Sequence, residues 1–385
     1  MKNNFYLRAR RNILTQLPEG NAWSGLILVS CTAFSLSVAN SAWGDAYQHF
    51  WQLEYLGIRF LELINDGLMA IFFFLVGLDI KKELLVGELV GRKKVFLPFI
   101  CAVGGMVLPA LCFLFFNIST PDVGGWAIPT ATDIAFSIGI LAMLGSRVPV
   151  GLKIFLTALA IIDDLGAVVV IALFYSEGIG WYALFATLSL TLFLFFLVKY
   201  AKYYNIFYFV TIGFFILFFL YHSGVHTTIA GVLLAMVIPI KFGQKLPNEI
   251  LSRQLTPIVN YGIVPLFALA NTAVALKTGF SDLFFSNIGL GVSLGLVLGK
   301  PIGIIIAAFI AVKLKLAELP QKVNWRILLG SAMLAGIGFT MSLFISSLAF
   351  NDLARQNIAK VAVLFGSVVS ALFGLIFLHF VLKEK

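Results

Sequence analysis

The sequence predicts an all-α, polytopic membrane protein with twelve transmembrane helices in a single integral domain, residues 1–385. Three observations predict this class: 60% of the residues are hydrophobic, only 12% are charged, and 38 of the 385 are Phe. Soluble domains are typically about 25% charged. Apolar stretches of about 20 residues, the length that crosses a bilayer as a helix, recur along the whole chain.

Twelve stretches meet this criterion, with centres near residues 31, 71, 105, 136, 164, 190, 212, 231, 267, 301, 338 and 370. The first, Ala22–Asn40, follows a basic segment but is long for a signal peptide and lacks a clear small-x-small cleavage site. We therefore expect it to remain as span one.

The basic residues predict the orientation. If the amino terminus is cytoplasmic, 22 of the 27 Lys and Arg residues fall in loops on that side, and cytoplasmic loops carry such an excess. Both termini are therefore predicted to be cytoplasmic, which agrees with an even number of spans. The net charge of +9 then needs no nucleic-acid partner.

Two spans are interrupted where an unbroken helix would be easier to build. Span four contains GGWAIPTATD, with Pro129 and Thr130 at its middle, and span eleven carries Gly336 and Gly338. Irregular backbone at membrane depth is tolerated only where it is buried in protein or lines a cavity. A matched pair of breaks points to a transporter's binding site, although either break alone is also explained as a kink without function.

The breaks lie in the middle helices of two three-helix sets, spans 3–5 and 10–12. Because each set has an odd number of helices, repeats of this kind must run in opposite directions across the bilayer. We therefore predict inverted-topology repeats from helix order, without residue-level identity between the sets.

Ionisable residues within apolar spans are functional-site candidates by default. Those inside the spans are Asp66, Asp133, Asp163, Asp164, His226 and Lys300, and Asp79 and Glu83 lie near one end of span two. Adjacent helical residues differ by about 100° around the axis. We therefore expect one of Asp163 and Asp164 to face a water-filled cavity and the other to face a partner helix.

The residues near these acids offer oxygen ligands, which hard cations such as sodium and lithium require. Asp163, Asp164 and Thr132 can supply them, with Asp133 as a further candidate. Burial disfavours an ionised carboxylate, so the same site can hold protons. The predicted ligands are transported ions, and no cofactor is expected. The three cysteines show no metal-ligand spacing and are predicted to be core residues: Cys31, Cys101 and Cys112.

Lys300 lies near the centre of span ten, too deep for its ammonium to reach the membrane surface easily. It needs a negative partner, for which Asp163 and Asp133 are the candidates, and a purely structural ion pair is the alternative to a functional one. Broken helices expose positive N-ends and negative C-ends. Asp133 and Lys300 can balance those ends.

The segments that carry these residues resemble the NhaA family of sodium/proton antiporters. They are GWAIPTATDIAFSIGILAMLGSRVP, TALAIIDDLGAVVVIALFY, SGVHTTIAGV, PLFALANTAV, GKPIGI and GIGFTMSLFISSLAF. The resemblance runs from about residue 21 to the end of the chain. It implies that spans four and eleven cross near the membrane centre, and that a core bundle of about residues 95–175 and 288–382 moves against the other spans.

The resemblance also implies roles for individual residues. Asp163 and Asp164 match the family's cation- and proton-binding pair, Thr132 lies beside them, and Asp133 and Lys300 match the charges that compensate the helix ends. The implied activity is electrogenic exchange of cytoplasmic sodium or lithium for external protons by alternating access. It would serve sodium and pH homeostasis in a bacterial inner membrane.

The chain departs from the family in residues linked to pH response. Asp79 replaces a glutamate and Glu83 is retained, but a solvated salt bridge with the neighbouring lysines is an alternative for Glu83. The acidic and histidine residues expected before span nine are replaced by Ser252, Arg253 and Thr256. His226 can tune a pH response, and an interhelical hydrogen bond is its simpler role.

The external loop 41–57 is shorter than in those members of that family whose external β-hairpin forms the dimer. A homodimer is therefore expected to be weak or to use another surface. The remaining partners are sodium, protons and membrane lipid.

Three other functions fit parts of the pattern. An intramembrane aspartyl protease would need two carboxylates facing one water from separate helices. A sodium-coupled importer of an organic solute would need polar groups beyond the ion cluster. A channel would lack obligatory coupling between the two ions.

Overall fold

The computed structural model describes residues 20–55, 57–86, 92–176, 178, 180–275 and 285–382, without the side chains of residues 20–22 and 92–95. Helices dominate this part of the chain, as predicted. They are α1 Gly20–Ala39, α2 Gly44–Gln52, α3 Phe60–Leu85, α4 Arg92–Asn117, α5 Ile134–Met143, α6 Val150–Phe174, α7 Trp181–Lys199, α8 Ile206–Tyr221, α9 Thr228–Val237, α10 Pro247–Ile258, α11 Val264–Asn271, α12 Asn287–Lys313, α13 Trp325–Ala335, α14 Phe339–Ala349 and α15 Leu353–Val381.

Many of these helices are long and apolar enough to span a bilayer. Among the described residues there are seven such helices, or nine if two bent pairs each count as one span. The pairs are α1 with α2, bent by 114°, and α13 with α14, bent by 46°. The protein is therefore a polytopic, helical membrane protein. Helices α8 and α9 are apolar but shorter, at 16 and 10 residues.

One element departs from the all-α expectation. The loop after α2 contains a two-stranded antiparallel hairpin, β1 Glu54–Tyr55 and β2 Ile58–Arg59. Gly57 has a φ of +79°, which glycine adopts without the steric cost that a Cβ would add. The shortened loop thus keeps a small hairpin, which its length did not predict.

The two predicted interruptions have different forms. Residues Val123–Thr130 form a 3₁₀ helix, and an irregular stretch, residues 131–133, separates it from α5. Pro129 and Thr130 therefore lie in the last turn of the 3₁₀ segment, directly before the irregular stretch. Gly336 and Gly338 flank the turn between α13 and α14.

Within the described residues, three π-helical turns were not predicted from the sequence. They are Leu63–Leu68 in α3, Val259–Ile263 between α10 and α11, and Gly295–Gly299 in α12. The second and third are each followed within two residues by a proline, Pro265 and Pro301, which cannot donate a helical hydrogen bond. π turns within α-helices are frequent at functional sites.

Glycines allow two helix pairs to approach closely. A Cβ on Gly77 of α3 would lie 2.7 Å from the Ala235 Cβ of α9, and one on Gly104 of α4 would lie 2.5 Å from the Ala307 Cβ of α12. Small residues at such crossings let helix backbones pack together in the absence of a hydrophobic driving force. Large aromatic side chains cover the outside of α7 and α8, as lipid contact requires, among them Phe185 and Phe214.

We predict that Gly231→Ala lowers the free energy of unfolding by about 1–3 kcal/mol, the usual cost of overpacking. The added Cβ would collide with the Ala70 carbonyl oxygen and lie 2.7 Å from the Phe74 nitrogen, and both are backbone atoms. Thermal unfolding in detergent measures the change. Gly25→Ala is the matched control, because nothing lies within 4 Å of its added Cβ. Equal melting temperatures for the two variants would contradict this packing.

Candidate functional site

The paired acids lie near the middle of α6, and both are buried: Asp163 is 1% exposed and Asp164 is 2% exposed. Asp163 faces α12, where its Oδ2 accepts a hydrogen bond from Lys300 Nζ at 2.6 Å. Lys300 is completely buried. Of the two partners that the sequence allowed for Lys300, the structure places Asp163 against it.

Lys300 makes a second contact at the end of a helix. Its Nζ also donates to the carbonyl oxygen of Thr130, the last residue of the 3₁₀ segment. The final carbonyls of a helix have no helical donors and carry partial negative charge. One ammonium group therefore binds both a carboxylate and a helix C-terminus.

Asp133 binds the opposite kind of helix end. Its Oδ1 accepts from the backbone N–H of Phe136 at 3.0 Å, in the first turn of α5. Its Oδ2 accepts from the Thr340 backbone N–H at 3.2 Å and from the Thr340 hydroxyl at 2.5 Å, in the first turn of α14. Asp133 therefore caps the N-termini of two half-helices, and a carboxylate is favourable at such ends.

The two interruptions lie directly against each other. The backbone N–H of Asp133 donates to the Ile337 carbonyl at 2.7 Å, and the Thr132 hydroxyl donates to the Ala335 carbonyl at 2.8 Å. These bonds satisfy backbone groups that the broken helices leave without helical partners. Each break thus supplies hydrogen-bond partners to the other.

Two carboxylate oxygens in this cluster have no hydrogen-bond partner among the described residues. They are Asp163 Oδ1 and Asp164 Oδ1. The Thr132 hydroxyl and amide lie close to the Asp163 carboxylate, although the hydroxyl donates its proton to Ala335, and Asp164 interacts electrostatically with Asp163, Asp133 and Lys300. Burying a charged oxygen without a partner is costly. A proton or a hard cation on these oxygens would remove that cost.

Thr340 was not among the residues predicted from sequence. The sequence contained a feature that could have identified it. Thr340 comes two residues after Gly338, where a half-helix begins, and threonine is a common residue at helix N-termini. Its hydroxyl contacts Asp133 across the two breaks, and this pairing depends on a crossing that sequence spacing does not specify.

The residues considered for pH response separate into two places. Asp79, on α3, accepts a hydrogen bond from Ser252 Oγ of α10 at 2.8 Å and interacts electrostatically with Glu83 near the end of α3. His226 lies instead beside the first turns of α3, where its Nε2 is 3.3 Å from Asp66 Oδ1. The three residues therefore do not form one cluster.

Comparison with known proteins gives a consistent result. The family model described as Na+/H+ antiporter 1 matches residues 16–378. The chain belongs to this family.

Relatives within the family cover almost the whole chain. The Na(+)/H(+) antiporter NhaA of Flavobacterium psychrophilum is 46% identical over 367 residues, which is 95% of each chain. The NhaA of Cytophaga hutchinsonii is 45% identical over 370 residues, again 95% of each chain. That of Vibrio campbellii is 44% identical over 371 residues, 94% of this chain and 93% of its own.

Membership in the Na+/H+ antiporter 1 family classes the chain as a secondary transporter and not as an enzyme. The aspartyl protease alternative is therefore rejected. The geometry agrees, since Asp163 and Asp164 are neighbours on one helix and the first is paired with an ammonium.

We predict that Lys300→Met destabilises the protein by about 3–5 kcal/mol, because it leaves the Asp163 carboxylate buried without its partner. The double variant Asp163→Asn, Lys300→Met removes both charges and should recover a large part of this loss. Thermal unfolding of the single and double variants measures the difference. Equal stability of the two would show that the pair does not hold the site together.

Proposed function

We propose that the protein exchanges cytoplasmic sodium or lithium for external protons at Asp163 and Asp164. The observation that supports this proposal best is the pair of buried carboxylate oxygens without hydrogen-bond partners among the described residues. The names of the relatives, which cover almost the whole chain, support the same activity.

The charges of the site suggest how the two ions compete. Lys300 compensates Asp163, whereas Asp164 has no cationic hydrogen-bond partner among the described side chains. One further positive charge is therefore needed to neutralise the site, and either sodium or a proton supplies it. Thr132 adds a hydroxyl oxygen, a ligand type suited to sodium and lithium.

Competition at one site gives coupling if the charged, empty site cannot move. We propose that sodium binds the deprotonated acids from the cytoplasm and that the core helices then carry it to the external side. There protons displace it, and the protonated site returns. The sodium ion leaves with Lys300 still paired to Asp163, and we propose that the returning site carries a proton on each carboxylate, the second of which neutralises Asp163 and releases Lys300. Two protons then enter for each sodium ion that leaves, so the cycle moves one net charge and is electrogenic.

The moving part is proposed to be the core bundle of about residues 95–175 and 288–382. It contains both breaks, α6 and α12, so the contacts of Asp133 and Lys300 lie within it. The other spans would form the scaffold. Twelve spans, inverted repeats of spans 3–5 and 10–12, and cytoplasmic termini complete the proposed topology.

We further propose a location in the bacterial inner membrane, a role in sodium and pH homeostasis, and a homodimer. The hairpin β1–β2 supports a dimer only modestly, because each of its strands has two residues.

We expect Asp164→Asn and Asp163→Asn each to abolish exchange, because each removes a carboxylate that sodium and protons share. Exchange is measured in everted vesicles as the collapse of a respiration-driven pH gradient on addition of sodium or lithium. Asp45→Asn is the control, since Asp45 is an exposed carboxylate in the first turn of α2. Wild-type rates in both site variants would refute the assignment.

A further inference from the structure

The short helix α2 follows directly after span one. Helix α1 has 20 residues and is long enough to cross a bilayer without α2. The axis of α2 is bent by 114° from that of α1. With α1 close to the membrane normal, α2 therefore runs near the plane of the membrane and slightly back toward the bilayer. Within the proposed topology, it lies at the external surface.

One side of α2 packs against the protein. Trp51 is buried, and its ring stacks on the ring of Phe60, the first residue of α3, with 5.6 Å between centroids. The Tyr47 hydroxyl lies 3.1 Å from Ser35 Oγ of α1 and 3.2 Å from the Leu269 carbonyl oxygen of α11. Helix α2 is therefore tied to α1, α3 and α11, which all belong to the proposed scaffold.

The remaining surface of α2 is divided into a polar side and an apolar side. Successive helical residues are turned by about 100° around the axis, so that Asp45, His49 and Gln52 share one side, and all three are exposed. The exposed apolar residues of α2 and its two flanking positions share the other side. They are Trp43, Ala46, Phe50 and Leu53, and are called the anchor face below.

The three sides of α2 follow one another around the helix: packed, polar and apolar. An amphipathic helix in the plane of a membrane surface has its apolar side in the lipid and its polar side in water. Here the third side faces the protein. The order of the sides thus allows α2 to contact protein, water and lipid at the same time.

Phospholipid fits the anchor face better than a second copy of the chain does. Trp43 is exposed at one end of this face, and Trp is enriched where membranes meet water. Helix α1, which precedes α2, exposes Leu26, Val29 and Phe34, as lipid contact requires. A stable protein–protein interface uses about 20–30 residues a side, whereas the anchor face has four.

We propose that α2 is an interfacial anchor whose anchor face binds the phospholipids of the external leaflet. The inference rests on the proposed function only for the side of the membrane and for the scaffold. The face carries no charged residue, so it requires no anionic headgroup. Because α2 is bonded to α1 and α11 and stacked on α3, lipid bound there holds these scaffold helices at a fixed depth.

The test places a fluorescent amino acid at Phe50, on the anchor face, or at Gln52, on the polar side, in protein reconstituted into phospholipid vesicles. Lipids brominated at the top of the acyl chains should quench position 50, because an interfacial helix buries its apolar side about 5–10 Å deep. Iodide in the water should quench position 52. The matched pair differs by two residues on one helix.

A charge on the anchor face should reverse the result. With the fluorophore at position 50, Trp43→Asp should weaken quenching by brominated lipid and strengthen quenching by iodide, because a carboxylate is costly to bury in lipid. His49→Asp is the control. It introduces the same carboxylate on the polar side, and should leave quenching at position 50 unchanged.

Quenching does not depend on transport, so the results separate the anchor from the function. Protein that moves no sodium but shows the expected quenching would overturn the proposed function and leave the anchor. Active protein with position 50 quenched by iodide would overturn the anchor alone. So would position 50 shielded from both quenchers, which would indicate a second copy on this face. A fluorophore at Trp43 should behave like that at Phe50.

Discussion

The Lys300–Asp163 contact is the interaction on which the rest of the site depends, because the Lys300 ammonium neutralises the charge of one of the two adjacent buried acids. The ammonium also binds the Thr130 carbonyl, so the same charge holds the end of the 3₁₀ segment. Asp133 does the converse for the N-termini of α5 and α14. Opposite charges thus bind opposite helix ends, as the helix dipole requires.

This arrangement explains why the helices are broken at all. A continuous helix satisfies its own backbone and presents only side chains to its neighbours, whereas a break exposes N–H and C=O groups that must be bound inside the protein. Here each break binds the other through Asp133 and Thr132. In the proposed function, the exposed ends create the local potentials in which Asp164 exchanges one positive ion for another.

Much of this site could be predicted from the sequence, because a charge in an apolar span is rare and needs a partner. That reasoning identified the paired acids, Lys300 and Asp133, and the Gly and Pro residues located both breaks. It left the partner of Lys300 open between two acids, since the choice depends on helix packing. It also missed Thr340, whose contact with Asp133 joins residues 207 positions apart.

Features that depend on local backbone geometry were less predictable. Hydropathy does not distinguish a π turn from an α turn, so the setting of Asp66 within Leu63–Leu68 was not expected. Asp66 and His226 were identified from the sequence only as separate ionisable residues. Their contact brings α3 against the start of α9, and it depends on helix packing that the sequence does not specify. Spans seven and eight were expected as stretches of about 20 apolar residues, whereas helices α8 and α9 have 16 and 10 residues.

Calorimetric titration of the purified protein with sodium and lithium, in buffers of different ionisation enthalpy, tests the central claim most directly. Competition at buried carboxylates predicts that binding releases protons and that the apparent Kd rises about tenfold per unit fall in pH for each proton displaced. Binding without proton release, or an affinity that does not change with pH, would contradict a shared site. Absence of sodium and lithium binding under alkaline conditions would contradict it as well.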